Sequence, residues 1–156
     1  MTPFIHRYFV NSIQGNARVF QWMLRDLDAN DARWDSRPVA ERFSLREVVA
    51  HLVDYDSVSR ERFERMIREE SPEFPLWNPD DAAAHYITRD PLHGVESLLL
   101  SRRELGDWLM GLSQKEWKRT ATRPQVGEFS VEEGAAFMLA HDSYHLAQVA
   151  DWLGMI

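Results

Sequence analysis

The chain has 156 residues, no cysteine, and 25 acidic against 18 basic side chains, for a net charge of −7. Without cysteine there are no disulfides, thiolate metal sites or cysteine nucleophiles, so any metal ligand must be His, Asp or Glu. No cluster of Lys and Arg is dense enough to follow a nucleic-acid backbone and no apolar run approaches about 18 residues, so a soluble, cytoplasmic protein of one domain over residues 1–156 is expected.

Helical periodicity runs through four long segments, and nothing carries a convincing strand pattern. In the first, about residues 3–28, Thr2 stands where a cap belongs and Pro3 at the first helical position, where a missing N–H costs nothing. Ile5, Phe9, Ile13, Phe20, Met23, Leu24 and Leu27 form its apolar stripe. The second opens on Ser44-Leu45-Arg46-Glu47, a capping box, and runs to about residue 69 behind Val48, Val49, Leu52, Phe63 and Met66. Ser71-Pro72-Glu73-Phe74-Pro75 stops it. The connection from there to Thr88 is the longest irregular stretch, with a short helix expected over Asp80 to Tyr86.

Asp90-Pro91 starts the third helix, whose stripe is Leu92, Val95, Leu98, Leu99, Leu105, Leu109 and Leu112 and which ends near Gly111. Ser113-Gln114-Lys115-Glu116 is a second capping box, good for one further turn before Trp117. Ser130-Val131-Glu132-Glu133 is a third and opens the last helix, which runs to about Leu153, where Gly154 suits the left-handed C-terminal position. Four amphipathic helices sharing one core predict an all-α four-helix bundle. The long connection between the second and third helices is able to cross over, so an up-down-down-up order stands beside the simpler up-and-down one.

The chemistry concentrates on the last helix. Gly134, Met138, His141, His145, Gln148 and Trp152 recur at spacings of three and four and share one face. Two imidazoles and an amide there take places where an aliphatic side chain would contribute about 1.5–3 kcal/mol by burial, and their polar atoms need partners. A metal ion meets that need, since His at i and i+4 direct ring nitrogens at one ion. His51, on the flank of the second helix's stripe, is the natural third ligand. The alternative is that an i, i+4 histidine pair is incidental. His6, His85 and His93 lie near helix ends or in connections and read as structural or surface residues.

Tyr55 and Gln148 share faces with the proposed ligands and are candidates to orient a nucleophile or substrate, with core packing as the alternative role. Asp142 and Asp54 are the nearest candidate bases, but each points about 60° off its helix's histidine face, where a solvated carboxylate is expected. Trp77, Asn78 and Pro79 suit a pocket rim, and the six Trp, spread along the chain, suit packing. The string His141-Asp142-Ser143-Tyr144-His145 lacks the Glu base of the zinc-protease HExxH, and no Glu-x-x-His pair exists for a ferritin-like di-iron site.

The run Ser44-Leu45-Arg46-Glu47-Val48-Val49-Ala50-His51-Leu52-Val53-Asp54, followed about ninety residues later by His141-Asp142-Ser143-Tyr144-His145-Leu146-Ala147-Gln148, resembles the DinB/YfiT-like superfamily of metalloenzymes. The likeness extends over nearly the whole chain. It implies an up-down-down-up four-helix bundle and a metal triad of His51, His141 and His145. Three nitrogen ligands leave coordination positions open, as catalytic sites do, and suit Zn, Ni or Fe. The resemblance further implies relatives that are thiol transferases, using low-molecular-weight thiols such as bacillithiol or mycothiol, or a thiol-dependent maleylpyruvate isomerase. The first expectation is therefore a transferase in which a divalent ion activates an external thiol. A metal-dependent hydrolase is the second, and a non-catalytic metal-binding or structural stress-response bundle the third. A small-molecule substrate and a homodimer complete the expected partners.

Overall fold

The computed structural model describes residues 3–156. The expected Thr2 cap lies outside that range. In chain order the elements are α1 (Pro3–Leu24), a 3-10 turn (Ala32–Asp35), α2 (Leu45–Arg68), a second 3-10 turn (Pro79–Asp81), α3 (Ala83–Tyr86), α4 (Pro91–Met110), α5 (Gln114–Trp117), β1 (Thr120–Arg123), β2 (Gly127–Ser130) and α6 (Val131–Trp152).

The helix starts lie where side chains can satisfy exposed backbone N–H groups. Ser44, Ser113 and Ser130 each cap their helix in a reciprocal box with Glu47, Glu116 and Glu133. The Asp90 carboxylate accepts from the backbone N–H groups of Leu92 and His93 ahead of α4. Beyond α6, Gly154 takes a φ of 67°, the left-handed conformation that a glycine adopts without strain. Among the described residues no helix is long and apolar enough to cross a membrane.

Side-chain pairings fix the direction of each long helix. His6 meets Glu132 and Asn16 meets Asp142, so α1 and α6 run parallel. The start of α1 at Pro3, His6 and Arg7 lies by Leu109 and Met110 and its end at Gln21 and Leu24 by Leu92 and Val95, setting α4 antiparallel to α1. Asp56 pairs with Ser101 and Arg102, and Arg60 with the Glu104 carbonyl, making α2 and α4 parallel. The order is up-down-down-up, and the stretch from Glu69 to Asp90 is the return that two consecutive parallel helices require. That return passes beside the middle of α2, where Trp77 stacks on His51 with ring centroids 5.7 Å apart.

Between α5 and α6 the structure departs from the sequence reading. β1 and β2 form an antiparallel hairpin pairing Thr120 with Ser130 and Arg123 with Gly127. Strands of four residues are too short for alternation to register against the flanking helices. The turn holds Gln125 and Gly127 at φ of 70° and 80°. The hairpin also anchors the return: the Phe74 N–H donates to the Thr122 carbonyl at 2.9 Å, and the Thr122 N–H to the Pro72 carbonyl at 3.0 Å.

The core has two apolar clusters. One gathers Phe20, Trp34, Leu45, Leu52 and Leu98; the other gathers Ile13, Phe63, Leu105, Trp117 and Met138. Between them lies a polar layer. The Arg102 guanidinium donates from Nε to Asp56 Oδ1 at 2.6 Å and from Nη1 and Nη2 to the two Asp142 oxygens at 2.6 and 2.8 Å. Asn16 and Ser101 complete it, donating to Asp142 and Asp56. Arg102 is 1% exposed and Asp142 0%, so the layer persists only because nearly every donor and acceptor in it is matched. His6 is structural, as expected, bonded to Glu132 and stacked on Trp117 at 4.1 Å; His85 and His93 are exposed.

Candidate metal centre

The antiparallel packing of α2 against α6 sets His51 opposite His141 and His145. One helical turn separates the latter two, so both rings reach the same wall. His51 Nε2 lies 2.9 Å from His141 Nε2, and the three ring centroids are 4.6–5.0 Å apart. One ring nitrogen from each histidine falls within 4.8 Å of the other two. His51 and His145 are buried and His141 half-buried. All three line an open cavity of about 390 Å³, whose wall also includes Arg42, Phe43, Tyr55 and Trp77.

The rings are electrically neutral near pH 7. Burial pulls the His51 imidazole down to about 3 and His141 to about 2, with neighbouring histidines adding repulsion in both cases. Burial brings His145 to about 4, against an opposing hydrogen bond from Gln148. A neutral imidazole offers a lone pair, the form that ligates a metal.

Gln148 fixes which nitrogen of His145 faces the cavity. Its Nε2 donates to the Phe43 carbonyl at 2.9 Å, so its Oε1 must be the atom 3.0 Å from His145 Nδ1. An acceptor there requires Nδ1 to carry the proton, which leaves the Nε2 lone pair for the cavity. Trp152 Nε1 donates to the same carbonyl at 3.0 Å, tying the end of α6 to the residue before the α2 cap. The other two rings are held by stacking: Tyr55 on His141 at 4.0 Å and Trp77 on His51. His51 Nδ1 and His141 Nδ1 are buried and have no hydrogen-bond partner among the described residues. Without an ion one Nε2 of this pair donates its hydrogen to the other; with the protons on Nδ1 instead, both join His145 Nε2 as a donor set that one cation satisfies. The residues present therefore fit a divalent ion.

Of the other candidates, Gln148 positions a histidine, and Tyr55 packs on another while lining the cavity. Asp142 is corrected. It is neither solvated nor available as a base, because Arg102 holds both of its oxygens in the core. The inward face of α6 is rotated toward Asp142, leaving His141 at the cavity edge. Asp54 lies 3.4 Å from Arg89 and does not line the cavity. Of the expected rim, Trp77 and Pro79 line it, whereas the Asn78 side chain caps the second 3-10 turn by accepting from the Asp80 N–H. The stack of Trp77 on His51 and the Arg42 guanidinium, 4.7 Å above the Trp152 ring, are features the sequence did not disclose.

Comparison with known proteins gives a family match and a likeness of fold. The sequence model of the DinB superfamily matches residues 13–149. YuaE of Bacillus subtilis, which has no assigned function, is 26% identical over 158 aligned positions, covering 90% of this chain and 94% of YuaE. A protein of Oceanobacillus iheyensis, named as a candidate metal-dependent hydrolase, is 24% identical over 150 positions, covering 96% of this chain and 86% of its own. Among solved structures, YfiT from Bacillus subtilis, described as a probable metal-dependent hydrolase with an unusual four-helix bundle topology, superposes with a TM-score of 0.89. That match has 17% identity and covers 97% of this chain and 87% of YfiT, a likeness of fold.

Proposed function

The chain belongs to the DinB superfamily, and from that premise we propose that it is a divalent-metal-dependent enzyme whose ion is held by His51, His141 and His145. The observation that carries this reading is the convergence of three neutral ring nitrogens within 4.8 Å on the wall of an open cavity. When bound, a divalent ion supplies Lewis acidity toward an oxygen or sulfur donor entering from that cavity. The chain's own part is to hold three lone pairs convergent. Gln148 sets the His145 tautomer, and the Tyr55 and Trp77 rings fix the planes of His141 and His51. Arg42, Arg123, Glu41 and Asp80 give the same cavity charges of both signs with which a polar small-molecule substrate would be oriented.

Hydrolysis is the first reaction class for such a site, supported by the descriptions of the Oceanobacillus protein and YfiT. Thiol transfer is the second, and one observation favours it. The two candidate bases, Asp54 and Asp142, are engaged by arginines, and the carboxylates that do line the cavity, Glu41 and Asp80, stand outside the two histidine-bearing helices, so most of the activation of a nucleophile falls to the ion. A thiol, with an ordinary pKa of about 8.5, needs less activation than water.

Elemental analysis of the untagged protein after loading with Zn, Ni or Fe tests the centre. We expect one ion per chain in the wild type and almost none in His51→Ala, His141→Ala or His145→Ala. Uptake that all three variants leave unchanged would overturn the assignment. Turnover of simple esters by the loaded wild type without thiol identifies the hydrolase; turnover of electrophiles only when a thiol is added identifies the transferase.

A further inference from the structure

A second cavity, about 210 Å³, lies between α2, the hairpin and α6. Tyr55 and Arg123 line both it and the histidine cavity, so the two share a wall. Its own wall is largely apolar, built from Val58, Phe63, Phe129 and Phe137, but two arginines, Arg62 and Arg123, also line it.

Those arginines are an anomaly in a chain of net charge −7. Most other half-buried or buried arginines hold a carboxylate, Arg102 those of Asp56 and Asp142, Arg46 that of Asp35 and Arg65 that of Glu69, while Arg119 donates to two backbone carbonyls and Arg42 stands unpaired among the described residues on the wall of the histidine cavity. Among the described residues no carboxylate lies within ion-pair distance of Arg62 or Arg123; Glu128, at the same mouth, is exposed, and Glu133 closes the α6 capping box. Both guanidinium groups sit against aromatic rings instead, Arg62 5.3 Å from Phe74 and Arg123 5.0 Å from Phe137. Arg62 spends one N–H on the Pro75 carbonyl at 3.0 Å, and the buried Nε of Arg123 has no hydrogen-bond partner among the described residues. Burial, with the nearby charge of Arg123, makes the Arg62 guanidinium less basic than usual. Two unmatched positive charges facing one apolar pocket are relieved by an anion, and the apolar wall selects an anion with a hydrophobic body.

We propose that this pocket binds the carboxylate-bearing, apolar end of a small molecule, with Arg62 and Arg123 taking the carboxylate and the ring or acyl body lying against Val58, Phe129 and Phe137. That the same molecule reaches past Tyr55 to the three histidines, as the substrate, rests on the function proposed above. The binding of the anion does not, because neither arginine is a ligand to the ion.

Benzoate, benzyl alcohol and inorganic phosphate serve as probes, titrated into metal-free protein and followed by ligand-observed NMR. Benzoate should bind, with benzyl alcohol and phosphate each at least about tenfold weaker, the size expected for losing a charged hydrogen bond or the apolar contact. Arg123→Gln and Arg62→Gln should each weaken benzoate by about tenfold or more, while Arg123→Lys, which keeps the charge, retains most of the affinity. His145→Ala should lose metal uptake and still bind benzoate as the wild type does. A failed metal centre and a failed anion pocket are thereby told apart. Benzoate binding no tighter than benzyl alcohol, or unaffected by Arg123→Gln in a variant that melts like the wild type, would overturn the proposal. Phosphate binding as tightly as benzoate would overturn its apolar half.

Discussion

At the scale of single residues, the proposed centre depends on side chains that are not themselves ligands. Gln148 is the clearest. An amide with its nitrogen committed to the Phe43 carbonyl has only an oxygen left for His145, so one hydrogen bond dictates the tautomer of the next ring. Leucine at this position would fill similar space and leave the imidazole free to present either nitrogen. Gln148→Leu is expected to weaken metal binding about 10–100-fold while leaving the fold intact, measurable by competition with a chelator of known affinity. Unchanged affinity would mean that the rest of the pocket orients His145 without help. Gln148 was legible in the sequence as a polar residue on the histidine face, but its task was not, because the carbonyl that decides it belongs to Phe43, 105 residues away.

At the scale of elements, the rotation of α6 is set by the Arg102 layer. Pinning both oxygens of Asp142 inward turns His145 and Gln148 toward α2 and leaves His141 on the flank, facing the cavity. Arg102→Ala would strand two buried carboxylates. A loss of about 3–5 kcal/mol in unfolding free energy is expected by urea denaturation, the range seen when one partner of a buried ion pair is removed. A loss below about 1 kcal/mol, the worth of a surface pair, would mean that water replaces the guanidinium at little cost. The layer left traces in the sequence that the apolar stripes obscured. Arg102 lies in the series Leu98, Arg102, Leu105, Leu109, and Asp56 in the series Leu52, Asp56, Ser59, Phe63, both with core spacing. A charge in core register announces a partner on another helix, and only three-dimensional packing says which. The caps, by contrast, are local contacts within four residues, so Ser44, Asp90, Ser113 and Ser130 were readable directly.

At the scale of the molecule, three weak bases gathered in one buried cluster couple the site to global stability. In the unfolded chain these imidazoles titrate near 6.5, and in the folded chain at about 3, 2 and 4. Below 6.5 the unfolded state therefore binds more protons than the native state. Their contribution to stability is fully present above that pH and is lost progressively as pH falls toward the folded values. Urea midpoints of the metal-free protein should drop between about pH 7.5 and about pH 5. The drop should be shallower in the variant combining His51→Ala, His141→Ala and His145→Ala; equal slopes would mean that the histidines remain solvated enough to protonate freely. The sequence by itself determined the four long helices, the caps of the last three and the pairing of His141 with His145 on one face, because periodicity, capping and i, i+4 spacing are properties of short stretches of chain. Only the tertiary structure decided the hairpin, the withdrawal of Asp142 into an ion pair, and the shared wall between the two cavities. The hairpin strands are too short for a pattern of their own, while the other two depend on side chains far apart in sequence competing for the same buried partners, a competition resolved only when the helices pack.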